Sequence, residues 1–321
     1  MSYKIGVDLG GTKILVALAD AGGKIIISRK FPTRAADGLH NVMRYLTGSI
    51  EEVLSAGGVS RYELDGAGIC VAGFFDTRFK TIVSSPNLPG WEGYPLEQEL
   101  KERLRVPVLV ENDASAAAYG EYLFGAGRGK RNMVNITLGT GIGGGIITEG
   151  RIYRGSGGFA GEIGHLIVLP QGPLCGCGRR GCLETLSSGT AIAREGRLLL
   201  ETGGGAVLRE IAGGSEELTA SHVFQAAREG DEEAAAIINK AAYFLGLALA
   251  YVVNILNPEV ITLSGGLSQT GEIFFEPVRR CLKETAIPPS GEMVSVVPAV
   301  LGEEAGVRGI LSLLDQYLKE M

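Results

Sequence analysis

One pattern occurs twice in this chain. The apolar run Tyr3 to Val7 reaches a glycine-rich turn, Asp8-Leu9-Gly10-Gly11-Thr12-Lys13, and leaves it as a second apolar run, Ile14 to Leu18. Met133 to Ile136 enters Thr137-Leu138-Gly139-Thr140-Gly141-Ile142-Gly143 and leaves as Gly144 to Ile147. Short apolar runs bounded by glycine predict strands, and each pair predicts a hairpin. A lone glycine turn means only a turn. Two matched copies with Asp and Thr at their tips point to an anion, because glycine lets bare N–H groups come close to phosphate oxygens. Facing turns of this kind would hold a polyphosphate from both sides.

The chain has 321 residues, enough for two domains. After three strands ending near Ser28, the pattern predicts a helix from Gly38 to Leu54 and a buried strand from Gly66 to Val71. A helix from Leu96 to Leu104 and a strand from Val106 to Val110 follow. Met133 restarts the series, which ends with a helix from Asp231 to Leu256, a strand from Val260 to Leu263, and helices from Glu272 to Lys283 and Glu303 to Leu318. This alternation defines an α/β layered fold. No Pro/Ser/Gly linker separates the halves, so the boundary is expected inside the helix-like stretch Asp113 to Glu121. Residues 202–215 read as a surface excursion.

Charge and cysteine usage narrow the function classes. The net charge is −6 and no Lys/Arg block exceeds two residues, which argues against nucleic acid as a partner. The N-terminus runs directly into a strand, without a signal-peptide pattern. The apolar run Ala241 to Val253 falls short of the ~20 residues that cross a bilayer, so no membrane partner is expected. The five cysteines do not form a disulfide framework, since three of them bunch at 175–182. A cytoplasmic location is the expectation.

Several residues carry chemistry by type and place. Asp8, at the end of an apolar strand, suits Mg²⁺ held against phosphate oxygens, and Lys13 suits the phosphate charge. Leu263-Ser264-Gly265-Gly266-Leu267 is a third glycine turn between a strand and a helix, where nucleotides dock. Glu111-Asn112-Asp113 opens an alanine-rich helix. One polar residue there would be an N-cap, but three point further, to a carboxylate that accepts a hydroxyl proton beside an Asn that binds a neighbouring hydroxyl. The loop Ser84 to Trp91 brings Asn87 and the only tryptophan, which suit either packing or sugar recognition.

His165, Cys175, Cys177 and Cys182 form the pattern H-x9-C-x-C-x4-C, with Gly176, Gly178 and Gly181 supplying tight turns. One imidazole and three thiolates fill a tetrahedral Zn²⁺ site and leave no position for an activated water, so the metal is read as structural. Glu162 and Glu184 flank this loop, and carboxylates on a clamped loop suit a polyhydroxyl ligand. His40 and His222 are read as surface residues.

With these motifs the chain resembles the ROK family (repressors, open reading frames and kinases) along essentially its whole length. The carriers are Asp8–Lys13, Pro86–Trp91, Glu111–Asp113, the glycine-rich run from Thr137 through His165, and Cys175 to Glu184. The resemblance implies an actin-like ATPase fold with duplicated ribonuclease H-like lobes around a cleft. Residues 1–118 with 303–321 would form a small lobe, and 119–302 a large one. It implies ATP with Mg²⁺, structural Zn²⁺, and phosphoryl transfer to the 6-hydroxyl of glucose, with N-acetylmannosamine, N-acetylglucosamine, fructose or allose as alternative acceptors.

The resemblance makes Asp113 the catalytic base. Asn87, Asn112, Asp113, Glu162, His165 and Glu184 become sugar ligands. Asp8, Gly10, Gly11, Thr12, Lys13, Thr140, Gly141, Gly265 and Gly266 become nucleotide ligands, and His165, Cys175, Cys177 and Cys182 zinc ligands. A homodimer or homotetramer is expected. Val71-Ala72-Gly73-Phe74-Phe75-Asp76 departs from the family's Gly-Pro-Val, and Phe74 and Phe75 would add bulk near the sugar. Family repressors carry a DNA-binding domain ahead of the first glycine turn. Asp8 stands eight residues in, which argues for an enzyme rather than a sugar-sensing regulator.

Overall fold

A computed structural model describes residues 2–76, 80–85, 87–214 and 217–321. Pro86 of the tryptophan loop and Ser215 of the expected excursion lie outside them. Contacts divide the chain into two compact units. Unit 1 is Met1–Gly129, Gly145–Gly161 and Leu301–Met321, and unit 2 is Lys130–Gly144 and Glu162–Val300. Gly145–Gly161, expected with the large lobe, groups with unit 1. The physical reason is close packing: a Cβ on Gly145 would lie 2.4 Å from the Ala118 Cβ, so only glycine fits there.

Unit 1 contains β1 (Tyr3–Leu9), β2 (Lys13–Asp20), β3 (Ile25–Pro32), β4 (Leu64–Val71), β5 (Phe74–Asp76), β6 (Thr81–Ser84) and β7 (Val108–Asn112). Its sheet has the order β3-β2-β1-β4-β7. β1 and β2 form the first hairpin, while β1, β4 and β7 run parallel. Three parallel strands therefore end at one edge, where open α/β sheets place ligands. Cross-strand pairing sets the rows: Asp8 pairs with Cys70, and Cys70 with Glu111.

One face of this sheet is covered by α1 (Leu39–Ala56) and α2 (Leu96–Leu104), helices with apolar stripes at Val42, Leu46, Ile50, Val53 and at Leu96, Leu100, Leu104. The other face takes α3 (Asp113–Phe124) and α11 (Ala305–Glu320) at close range. A Cβ on Gly6 would stand 2.7 Å from Leu311, and one on Gly68 2.9 Å from Ile310. The strands' small residues thus let α11 lie directly on the sheet. Trp91 is buried in the core of unit 1 with its ring edge-on to Tyr94, so it is a packing anchor.

Unit 2 is built on β8 (Met133–Leu138), the start of β9 (Ile142–Thr148), β11 (Val260–Ser264) and β12 (Ser295–Pro298); β10 (Arg151–Ile152) pairs with the far end of β9. The strand order is β10-β9-β8-β11-β12, with β8, β11 and β12 parallel. The helices are α4 (Glu184–Ser187), α5 (Gly189–Glu201), α6 (Ala206–Ala212), α7 (Ala220–Arg228), α8 (Glu232–Leu256), α9 (Glu272–Thr285) and α10 (Ser290–Met293).

Three local expectations change. The stretch 202–215 contains α6, whose Leu208 is fully buried, because Asp231 caps α8 at Ala234 and also accepts the Leu208 N–H at 3.1 Å. His222 is not a bare surface residue: its Nδ1 accepts the Thr219 N–H and closes a capping box on α7. The apolar run Ala241–Val253 belongs to a 25-residue helix, long and apolar enough to cross a membrane by length and composition, with 61% of its apolar window buried inside the protein. Ala241, Leu245, Leu249 and Val253 of that helix are buried in unit 2.

Candidate active site

In unit 1 the residues expected to form a site gather at the carboxyl ends of the parallel strands. The first turn closes with the Gly10 N–H donating to the Lys13 carbonyl at 3.0 Å. Gly11 is pressed against the tryptophan loop: a Cβ there would lie 2.6 Å from that of Asn87. Any side chain would push the loop away, so glycine holds Asn87 beside the turn. Thr12 and Lys13 are exposed, and the Lys13 ammonium pairs with Glu303, which also pairs with Lys30.

Asp8 precedes that turn on β1. Burial raises its pKa to about 6; Lys13 and the Cys70 thiol pull it down, and Glu303 pushes it up. A carboxylate whose charge is poorly compensated by the protein fits a cation-holding role.

Asn112 ends β7 and caps α3. Its Oδ1 accepts the Ser115 N–H at 2.9 Å, while its Nδ2 donates to the Gly73 carbonyl at 3.0 Å and to Asp113 Oδ1 at 3.2 Å. The side chain therefore caps α3 and at the same time holds the Asp113 carboxylate. Asp113 Oδ1 also accepts the Ala114 N–H at 2.8 Å, which fixes the carboxylate at the first turn of the helix.

Phe74 and Phe75 separate. Phe75 is buried in the core, and only Phe74 reaches outward, edge-on to Phe159 at 6.4 Å. Phe75 therefore belongs to the core, and of the two rings expected to add bulk only Phe74 lies outside it.

In unit 2 the second turn is closed by the Gly139 N–H donating to the Gly141 carbonyl at 3.0 Å. Glu184 sits against it: its Oε2 accepts the Ile142 N–H at 2.9 Å, and a Cβ on Gly141 would lie 2.3 Å from the same oxygen. Beneath the turn lies a buried polar network that the sequence reading missed. Thr262 donates to Asn135 Oδ1 at 2.8 Å, Asn135 Nδ2 reaches Ser264 and Thr137 at 3.3 and 3.4 Å, and Ser264 donates to Thr137 at 3.1 Å. Its signal was polar residues alternating in buried strands, VNITL and VITLS.

Gly265, at φ +81°, turns the chain after β11 where a Cβ would stand 2.4 Å from the Leu138 carbonyl. Gly139, Thr140, Gly266, Leu267 and Thr270, with residues of α5 and α7 such as Arg197 and Phe224, line a cavity of about 520 Å³. That volume suits a nucleoside-sized ligand.

The zinc constellation converges. One donor atom from each of His165, Cys175, Cys177 and Cys182 lies within 4.8 Å of every other. Cys177 Sγ and Cys182 Sγ are 3.6 Å apart, as are Cys175 Sγ and His165 Nδ1. Ligands bonded to zinc at 2.3 Å stand at tetrahedral edges of about 3.8 Å, so the donor set fits the ion. The cluster also abuts Glu184, whose Oε1 lies 3.9 Å from Cys175 Sγ. Glu162 starts the turn that carries His165; desolvation and then the Glu184 charge raise its pKa to about 7.

Two sheet-based units, each with a glycine turn, and a Cys3His cluster beside the second turn define an α/β protein of this class, and the comparisons place it in a family. The sequence matches the ROK family over residues 4–317; the chain belongs to that family and has its actin-like ATPase fold. The glucokinase of Thermotoga maritima is 40% identical over 314 residues, 98% of each chain. The structure of a ROK family glucokinase from Streptomyces griseus in complex with glucose and AMPPNP superposes with TM-score 0.84 at 35% identity, over 97% of this chain and 99% of that one. A ROK family transcriptional regulator, a homologue of the E. coli MLC protein, superposes with TM-score 0.87 at 28% identity, over 98% of this chain and 78% of the regulator.

Proposed function

We propose that the protein is an ATP-dependent glucokinase in which Asp113 is the general base. The observation that carries this is Asp113 itself: a carboxylate fixed by Asn112 and the Ala114 N–H at the carboxyl edge of the sheet that also bears the Asp8–Lys13 turn. The near full-length likeness to glucokinases selects glucose among hexoses.

The roles follow from chemistry. The unit 2 cavity takes the adenosine, with Gly265 and Gly266 at its strand end. Gly10 shapes the first turn through its N–H bond to the Lys13 carbonyl, and Gly11, Thr12, Lys13, Thr140 and Gly141 would meet the phosphates with N–H groups and charge. Asp8 would hold Mg²⁺, which neutralises phosphate charge when bound. Asn87, Asn112, Glu162, His165 and Glu184 engage sugar hydroxyls. His165 Nδ1 lies on the sulfur side, which supports a hydroxyl contact through Nε2.

Asp113 accepts the 6-hydroxyl proton while that oxygen bonds to the γ-phosphorus. The bond from the γ-phosphorus to the bridging oxygen breaks, and ADP leaves. Transfer of this kind needs mainly positioning and charge neutralisation. His165, Cys175, Cys177 and Cys182 would hold Zn²⁺, which clamps the loop carrying His165 and Glu184 and takes no part in the chemistry.

Assembly is part of the proposal. Tyr243, Tyr251 and Ile255 recur at helical spacing along α8 and are 53%, 40% and 78% exposed. An apolar stripe of this kind suits a second copy of the chain in a homodimer or homotetramer. Sedimentation equilibrium would read a dimer or larger, and a monomer would remove the assignment. A cytoplasmic setting with ATP and reduced cysteines suits this chemistry.

The direct test offers ATP, Mg²⁺ and a hexose panel and follows the product by ³¹P NMR. Glucose 6-phosphate is the expected product. Turnover with another hexose alone would keep the class and change the acceptor. Sugar binding without turnover would favour a sensor, the reading that the regulator's likeness supports.

A further inference from the structure

Glu111 is the one member of the Glu111-Asn112-Asp113 motif that the proposed chemistry does not use. It is almost fully buried, yet each of its oxygens is engaged. Oε1 accepts the N–H of Asn112 at 3.0 Å. Oε2 accepts Arg154 Nε at 2.8 Å and Arg154 Nη2 at 2.6 Å. Arg154 thus presents two fork donors to a single oxygen, a charge-assisted contact with fixed geometry. In the sheet Glu111 is paired with Cys70, and Cys70 with Asp8, so the guanidinium supplies positive charge to a row that carries two carboxylates.

The pairing joins two segments. Glu111 lies immediately before Asn112 and Asp113 at the end of β7. Arg154 follows β10 and opens the glycine-rich loop Gly155–Gly161, whose base is closed by the Ala160 N–H donating to the Arg154 carbonyl at 3.1 Å. Glu162 is the next residue in the chain.

We infer that Arg154 is a positioning residue for phosphoryl transfer: through Glu111 it fixes the Asn112 backbone and with it the Asp113 carboxylate, and ties that strand end to the loop leading to Glu162. This rests on the proposed role of Asp113. Deleting the fork frees the Glu111 carboxylate from its partner, and the peptide between Glu111 and Asn112 loses its tether. A base displaced by about 1 Å loses on the order of 100-fold in rate without losing its proton affinity for good. Arg154 also lines a cavity of about 660 Å³ in unit 1, so shortening it opens space rather than forcing a clash.

The test uses Arg154→Gln, Arg154→Lys and the double variant Glu111→Gln/Arg154→Gln, which leaves no buried charge unpaired if the single variant folds poorly. Calorimetric titration with ATP counts binding sites, so turnover is expressed per folded molecule. Arg154→Gln and the double variant are expected to keep the ATP dissociation constant within about twofold while kcat per site falls about 10- to 100-fold. Arg154→Lys, which keeps charge but not the fork, recovers part of the loss.

Wild-type kcat per site in the glutamine variants would overturn the inference. So would ATP affinity falling in step with kcat, because that marks general damage. An inert wild-type enzyme would sink the kinase reading and this inference with it; an active wild type with an equally active Arg154→Gln sinks this inference alone.

Discussion

The two glycine turns use one backbone device and different surroundings. The first, at Gly10 to Lys13, is set among charges: Asp8 before it, Lys13 within it, and Glu303 pairing with Lys13 beside it. The second, at Gly139 to Gly141, stands over the neutral network of Asn135, Thr137, Thr262 and Ser264, and its exit N–H is held by Glu184. The same turn therefore stands in a charged setting in one unit and a neutral one in the other. In the proposed function the first turn would manage phosphate and metal charge. The second holds the backbone still and couples it to the zinc loop through Glu184.

The largest effect is expected at Asp113. Asp113→Asn should leave ATP binding intact and cut sugar-dependent turnover about 10²- to 10⁴-fold, read as ADP release per ATP-binding site; near-normal turnover would remove Asp113 as base. Cys182→Ser should lose the bound zinc, seen by metal analysis of purified protein, and cut kcat about 10- to 100-fold through the displaced Glu184. Unchanged activity in a zinc-free variant would separate the clamp from the second turn.

Ser264→Ala should cost about 1–3 kcal/mol in chemical denaturation, because Asn135 keeps a buried donor with a lost partner. Its Mg²⁺ requirement should stay as in wild type. A normal denaturation midpoint would mean that the network does not support the second turn.

The smallest effect is one of pH. Glu162 has its pKa raised to about 7, so it is charged above that value and protonated below it. A protonated carboxyl is a poorer acceptor for sugar hydroxyls, so KM for glucose should rise a few-fold as pH falls from 8 to 6, roughly the tenfold-per-unit titration limit at most. In Glu162→Gln the slope should disappear. A slope that persists there would assign the titration elsewhere.

Much of this was legible in the sequence because local pattern and tertiary need agreed. The doubled hairpin, the helix over Leu96–Leu104 and the cysteine loop were carried by period and spacing that no distant contact overrides. The helix at Ala206–Ala212 was not, because two glycine clusters conceal a turn whose stability comes from Asp231, far along the chain. Trp91 was ambiguous because an aromatic side chain reads alike in a core and in a sugar site. Arg154 carried no local signal: its meaning is a contact with Glu111 across 43 positions of sequence. Gly145–Gly161 grouped with unit 1 because close packing on α3, not chain order, decides membership.

Asp8→Asn isolates the charge side of the contrast. Burial holds the Asp8 pKa at about 6, above its ordinary 3.8, so the charged form costs stability above pH 6 and that cost fades as pH falls toward 4. The variant should therefore be more stable than wild type at pH 7 by about 1–3 kcal/mol, with the gain shrinking in acid. It should also bind Mg²⁺ poorly.

The most direct measurement is the Mg²⁺ dependence of glucose-driven ADP release, compared among wild type, Asp8→Asn and Ser264→Ala. Glucose-driven release is expected in wild type, with a Mg²⁺ requirement raised about 10-fold or more in Asp8→Asn and unaltered in Ser264→Ala. Equal Mg²⁺ curves for all three, or no glucose-driven release in wild type, would contradict the division of roles between the two turns.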